Sequence, residues 1–139
     1  MTPASRLSSP TILVIEDYPD AREMLSFMLR QKGFNVIEAE NGLHGLLQAR
    51  GNHPDLIIMD LALPEMDGIE TARRIHETPE LNHVPIFVVS GFLTKEVAVE
   101  VKAAGCVEMF NKPFDFDTLL RAIVARLGGE ISSSATGSA

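Results

Sequence analysis

Five short apolar runs alternate with five stretches in which apolar residues recur at helical spacing. The first run, TILVIED over 11–17, is rich in β-branched residues and nearly continuous, which predicts a strand buried on both faces. PDAREMLSFMLRQKG follows, with Met24, Leu25, Met28 and Leu29 at helical spacing and Gly33 as the stop. FNVIEA predicts a second strand, and NGLHGLLQARG a short helix capped by Asn41. PDLIIMD is the third strand. The helix after it, in MDGIETARRIHET, starts near Asp67, whose carboxylate suits the positive end of a helix dipole. VPIFVVS over 84–90 predicts the fourth strand and TKEVAVEVKAAG a helix ending at Gly105. CVEMF is the fifth strand, and DFDTLLRAIVARLGG the last helix.

Strict alternation of buried strands with helices predicts an α/β fold, a parallel sheet covered on both sides. Right-handed crossovers make such a sheet doubly wound. Sites in these sheets form beyond the carboxyl ends of the strands, where strand order reverses. At those ends stand Glu16-Asp17, Asp60, Ser90 and, just past the fifth strand, Lys112-Pro113. Each alone has an ordinary explanation, since acidic pairs start helices, serines close strands and a lysine before proline is usually solvated. Their convergence on one rim asks for a chemical cause.

Three carboxylates at close range do not all stay ionised without help. At about 4 Å and an effective dielectric near 20, each like-charge pair costs roughly 4 kcal/mol. One lysine does not offset three anions, so either a carboxyl stays protonated or a divalent cation is present. A hard cation such as Mg²⁺ suits an all-oxygen site of carboxylates, a backbone carbonyl and waters, and such sites commonly take a phosphate oxygen as well. The chemistry this favours is phosphoryl transfer to a carboxylate.

Composition narrows the field further. The 139 residues are 45% hydrophobic and 22% charged, as in one soluble globular domain. A net charge of −7 argues against a nucleic-acid surface. The single cysteine, Cys106, excludes an internal disulfide and suits a reducing compartment. The opening MTPASRLSSP has no apolar signal-peptide core, and no run is long enough for a membrane span, so a cytoplasmic location is expected. Residues 1–10 and 128–139 are polar and small, and are expected to be flexible tails around a domain at 11–127. His44, His53, His76 and His83 are scattered without ligand spacing and are assigned surface or turn roles.

The stretches VIEDYPDARE, DLALPEMDG, VVSG and NKPF make residues 10–127 resemble a response-regulator receiver domain of two-component signalling. Spacing agrees with that family, with 30 residues from Asp60 to Ser90 and 22 from Ser90 to Lys112. The resemblance implies a flavodoxin-like (βα)5 receiver fold with strand order 2-1-3-4-5. It implies that Asp60 accepts the phosphoryl group, from a histidine kinase, a phosphotransfer protein or a small acyl phosphate. Asp17 would ligate Mg²⁺, Glu16 would assist through water, and the backbone carbonyl of Ala62 would complete the protein ligands. Lys112 would contact a phosphoryl oxygen, ahead of a cis bond to Pro113, and Ser90 would be the hydroxyl that swings toward the phosphate. Phosphorylation would then bias the face of the fourth helix, fifth strand and fifth helix toward a protein target or a second copy, leaving the chain a monomer or a phosphorylation-linked homodimer. Ala62 and Phe92 would flank the water path and tune the lifetime of the phosphoryl group.

One position departs from the family. Three residues before the lysine, where Tyr or Phe is usual, stands Met109; Phe110 is one residue along and points to the opposite face of the strand. Phosphorylation is therefore expected to survive while the aromatic part of the switch is differently built. Two rivals stand beside the receiver reading. A pseudo-receiver would keep the fold as a binding module without phosphate. An aspartyl phosphatase of the haloacid-dehalogenase type needs a second acid two residues after the nucleophile, where this chain has Ala62. With no output domain following residue 127, a stand-alone signalling domain is expected, its chemistry limited to modification and demodification of Asp60.

Overall fold

A computed structural model describes residues 9–128 of the chain. Its strands are β1 (Thr11–Ile15), β2 (Asn35–Ala39), β3 (Leu56–Asp60), β4 (Ile86–Ser90) and β5 (Glu108–Asn111). Its helices are α1 (Pro19–Gln31), α2 (Gly42–Asn52), α3 (Gly68–Glu77), α4 (Lys95–Ala103) and α5 (Phe116–Arg126). The sheet is parallel throughout, in the order β2-β1-β3-β4-β5. This is the doubly wound arrangement expected from the alternation. The expected tails fall mostly outside the described residues; within them, the carbonyls of Ser9 and Pro10 accept hydrogen bonds from Asn35.

Period-2 alternation divides the strand side chains between two cores. Ile12, Val14, Ile58, Phe87 and Val89 pack with Leu25 and Leu29 of α1 and Leu119 and Ile123 of α5. Leu13, Ile15, Ile57, Met59 and Val88 face the other way, toward Ala49 of α2, Ile75 of α3 and Val101 of α4. All five residues of β3 and of β4 are buried, whereas the edge strands β2 and β5 are partly exposed. Each fully buried large aliphatic side chain contributes roughly 1.5–3 kcal/mol, so the central strands are the hardest part of the molecule to displace. A side chain at the end of β3 therefore stands on a rigid base.

Local signals place the helices. Asn41 accepts from the His44 amide at 2.7 Å and Asp67 from the Glu70 amide at 2.8 Å, as their positions in sequence suggest. Thr94 and Asp115 do the same for α4 and α5. Two expectations shift. The fifth strand starts at Glu108 rather than Cys106: the Cys106 amide donates to the Val101 carbonyl at the end of α4, and burial pushes its thiol up to about 12. On α1, Leu25, Ser26 and Leu29 are buried while Met24 is 59% exposed; Arg22 and Arg30 pair with Glu38 of β2.

Candidate functional site

Strand order reverses between β1 and β3, and the acidic residues gather there. Ile15 pairs with Met59, so one residue further on Glu16 and Asp60 leave neighbouring strands side by side. Both are buried, at 8% and 7% exposure, while Asp17 is exposed. A carboxylate oxygen from each of the three lies within 4.8 Å of the others. Lys112, 52 residues beyond Asp60, closes the cluster. Its Nζ donates to Asp60 Oδ2 at 2.8 Å and to Glu16 Oε1 at 3.0 Å. The second oxygen of each acid is also held: Asp60 Oδ1 accepts from the Ala62 amide at 3.0 Å, and Glu16 Oε2 from the Tyr18 amide at 3.1 Å. The Lys112–Pro113 bond is cis, and the Lys112 amide donates to the Ser90 carbonyl at 2.8 Å.

The electrostatics follow from burial and charge. Burial raises the pKa of Glu16, and the charge of Asp60 adds to the rise, while the Tyr18 amide and Lys112 oppose it. For Lys112 burial works downward, but hydrogen bonds to Asp60 and Glu16 and their negative charges outweigh it and leave the ammonium more basic than usual. One cation is thus shared between two buried anions, with a third acid beside them. Oxygen donors of this kind fit a hard divalent cation and not a soft one.

The sequence matches the family model described as "Response regulator receiver domain" over residues 12–124. The chain belongs to that family. The receiver is 30% identical to the polar-differentiation response regulator DivK of Brucella ovis over 118 residues, which cover 85% of this chain and 96% of DivK. Among solved structures it resembles the chemotaxis response regulator CheY4 of Vibrio cholerae, at 28% identity and a TM-score of 0.80, covering 86% of this chain and 99% of that one. A response regulator receiver protein from Pseudomonas putida, at 29% identity, superposes with a TM-score of 0.79 and covers 84% and 96% of the two chains. The flavodoxin-like fold of CheY is therefore the fold of this receiver, a module of two-component signalling.

The residues singled out in the sequence divide by how closely they meet. Glu16, Asp17, Asp60 and Lys112 form one cluster, and Ala62 adjoins it through its amide. Ser90 is buried at the end of β4, but its Oγ accepts from the Phe92 amide at 3.1 Å and makes no bond to the cluster. Met109 packs into the core beneath α4, and Phe110 into the opposite core, its ring tilted against Phe87 at 5.7 Å between centroids. Strand periodicity is the reason, as expected. Gly68 escaped notice. Its amide donates to the Leu61 carbonyl, and the helix it opens lies so close to the Asp60 backbone that a Cβ would not fit. The glycine ending DLALPEMDG is the signal that could have found it.

A cavity of about 620 Å³ lies at the other end of the sheet, by the amino ends of β3, β4 and β5, lined in part by His53, His76, His83 and Arg126. His53 caps α2 in a left-handed conformation and His76 sits in the last turn of α3, where an imidazole complements the negative helix end. His44 pairs with Glu40 on the surface at 2.7 Å. No helix among the described residues is long and apolar enough to cross a membrane.

Proposed function

We propose that this receiver accepts a phosphoryl group on Asp60 and uses it to switch a protein-binding face. The observation that supports this best is the state of Asp60: buried at the end of a central strand, its two oxygens fixed by Lys112 and the Ala62 amide, with Glu16 and Asp17 beside it. Fixing both oxygens leaves the carboxylate little to reorganise before it attacks phosphorus. Attack forms an O–P bond to Asp60 as the P–N bond of a phosphohistidine, or the P–O bond of an acyl phosphate, breaks. Lys112, already hydrogen-bonded to the nucleophile, is within reach of the incoming phosphoryl oxygens and opposes their charge. Mg²⁺ is the cation that the Glu16, Asp17 and Asp60 oxygens would hold with the Ala62 carbonyl, and it supplies charge neutralisation at the phosphoryl group. Ser90 would exchange its bond to the Phe92 amide for one to the phosphoryl oxygen, pulling the β4–α4 loop inward. Phe92 and Val99, 80% and 69% exposed, lie in that loop and on α4, where such a shift would be felt by a partner. A histidine kinase or phosphotransfer protein as donor, and a downstream protein or second copy as target, complete the proposal.

Incubation with acetyl phosphate and Mg²⁺ tests it by intact mass. A gain of about 80 Da is expected for the native chain, absent in Asp60→Ala and absent with EDTA. Met109 slightly favours one alternative, a pseudo-receiver that binds partners without phosphate, against which the full set of acids, hydroxyl and lysine argues; an unlabelled native chain would turn the balance toward it.

Met109 carries a prediction of its own. Labelling is expected to proceed normally, and Phe110 to keep its place against Phe87, because that ring belongs to the core under α1 and α5. Side-chain NMR of Met109 and Phe110 with and without beryllofluoride measures this. An ordered swing confined to Phe110 would contradict the assignment.

A further inference from the structure

We infer that Arg22 is a positioning residue for the acidic turn, holding the Glu16–Asp17 backbone where Asp17 can reach a cation; this rests on the proposal that the cluster binds Mg²⁺. The chain leaves β1 at Ile15 and enters α1 at Pro19, so the two acids sit in a turn with no ladder on both sides. The Glu16 amide donates to the Ala39 carbonyl at 3.0 Å, and Glu16 Oε2 is held by the Tyr18 amide. Among the described residues, no hydrogen bond or ion pair holds the exposed carboxylate of Asp17 itself. Its direction is set by the backbone, and the carbonyl of the peptide joining Glu16 to Asp17 accepts, among the described residues, from one side-chain donor: Arg22 Nη1, at 2.9 Å. Arg22 is in turn fixed. Its Nε donates to Glu38 Oε1 at 3.2 Å, its side chain is 17% exposed, and its own amide donates to the Tyr18 carbonyl at 3.0 Å. One planar guanidinium thus ties the turn to β2, a fork that an ammonium cannot reproduce with the same geometry. Oxygen ligation of a small dication tolerates displacements of only about half an ångström, so a freed peptide plane is felt as lost affinity.

The sign of the effect separates positioning from simple charge. Arg22 is a cation close to a cation site, so removing it for electrostatic reasons alone would tighten Mg²⁺ binding. Loss of positioning weakens it. Arg30 supplies the control, because it pairs with the other oxygen of Glu38 at 3.3 Å and with the Val36 carbonyl but does not touch Glu16. Mg²⁺ titration by calorimetry, or by the fluorescence of Tyr18, the one tyrosine in a chain without tryptophan, reads affinity directly. Arg22→Met is expected to weaken Mg²⁺ about tenfold, Arg22→Lys to fall between it and the native chain, and Arg30→Met to stay within about twofold. Circular dichroism fixes the temperature at which every variant is folded, and Arg22→Lys, which keeps the charge, decides the matter if Arg22→Met does not fold. Native affinity or better in Arg22→Met overturns the inference, as does an equal loss in Arg30→Met. A native chain that binds no Mg²⁺ overturns the proposed function itself, and is told apart because it needs no variant.

Discussion

Replacing Lys112 with methionine is expected to destabilise the metal-free chain by about 2–3 kcal/mol at neutral pH. Among the described residues the ammonium is the one cation paired with both Glu16 and Asp60, and both acids are buried. Removing one partner of a buried pair costs about 3–5 kcal/mol; the smaller figure allows for solvent reaching Lys112, whose side chain is 33% exposed. The pH dependence has a definite sign. Glu16 is already raised above its ordinary 4.5 by burial, so the folded chain binds its proton more tightly than the unfolded chain does. Stability from this group therefore increases as pH falls from neutral through the raised value toward 4.5. Without Lys112 an opposing influence is gone, the value rises further, and the variant recovers more than the native chain on mild acidification. At the alkaline end, the raised pKa of Lys112 means that the native advantage is complete below its ordinary 10.5 and is lost as pH climbs through the folded value. Urea melts across this range should show the gap between the two proteins closing toward both ends. Added Mg²⁺ should raise the melting temperature of the variant more than that of the native chain, since a dication replaces the missing charge. A gap that widens in mild acid would show that Lys112 does not compensate these acids.

A second large effect is expected at Gly68, where the substitution to alanine should slow labelling of Asp60 about a hundredfold. A Cβ there would stand 2.6 Å from the Asp60 carbonyl oxygen and 2.7 Å from the Leu61 Cα. Both are backbone atoms, so no side chain can swing aside. Either α3 moves out or the end of β3 tilts, and with it the Asp60 carboxylate and the two hydrogen bonds that orient it. Overpacking of this kind costs about 1–3 kcal/mol of stability, within what a folded domain survives, so the rate remains measurable. Gly51→Ala is the matched control: nothing lies within 4 Å of its Cβ position on α2, and replacing a helical glycine there should stabilise the chain by up to about 1 kcal/mol. Initial rates of mass gain, with urea melts alongside, decide the question. Native-rate labelling in Gly68→Ala would mean that the approach of α3 to β3 does not govern the site.

Much of the fold was legible because its signals are local. LIIM and IFVV are short continuous apolar runs rich in β-branched residues, the pattern of a strand buried on both faces, and they became the bodies of β3 and β4. Asn41 and Asp67 announced helix starts through their own side chains, and the alternation of runs carried the doubly wound class. Strand ends were harder, because an end is set by where neighbours stop: the fifth strand starts two residues later than its apolar run, with Cys106 drawn inward. Of the apolar positions at helical spacing on α1, Leu25 and Leu29 are buried while Met24 is exposed, because the face turned to the sheet is settled by packing and by partners such as Glu38, which pairs with Arg22 and Arg30 from another strand.

For the site the division runs along the same line. Residue type and position at a strand end were enough to anticipate that Glu16, Asp17, Asp60 and Lys112 would meet, because in a doubly wound sheet the carboxyl ends share one rim; Ser90 lies on that rim but is not bonded to them through its side chain. Contacts across 96 residues, such as Lys112 to Glu16, and the bond by which Ser90 holds the Phe92 amide, exist only once the strands are in register. The same is true of Gly68 and Arg22, whose importance lies in what presses against them. Chemistry and element order are properties of single residues and short windows; distance, burial and pKa belong to groups that only the folded chain brings together.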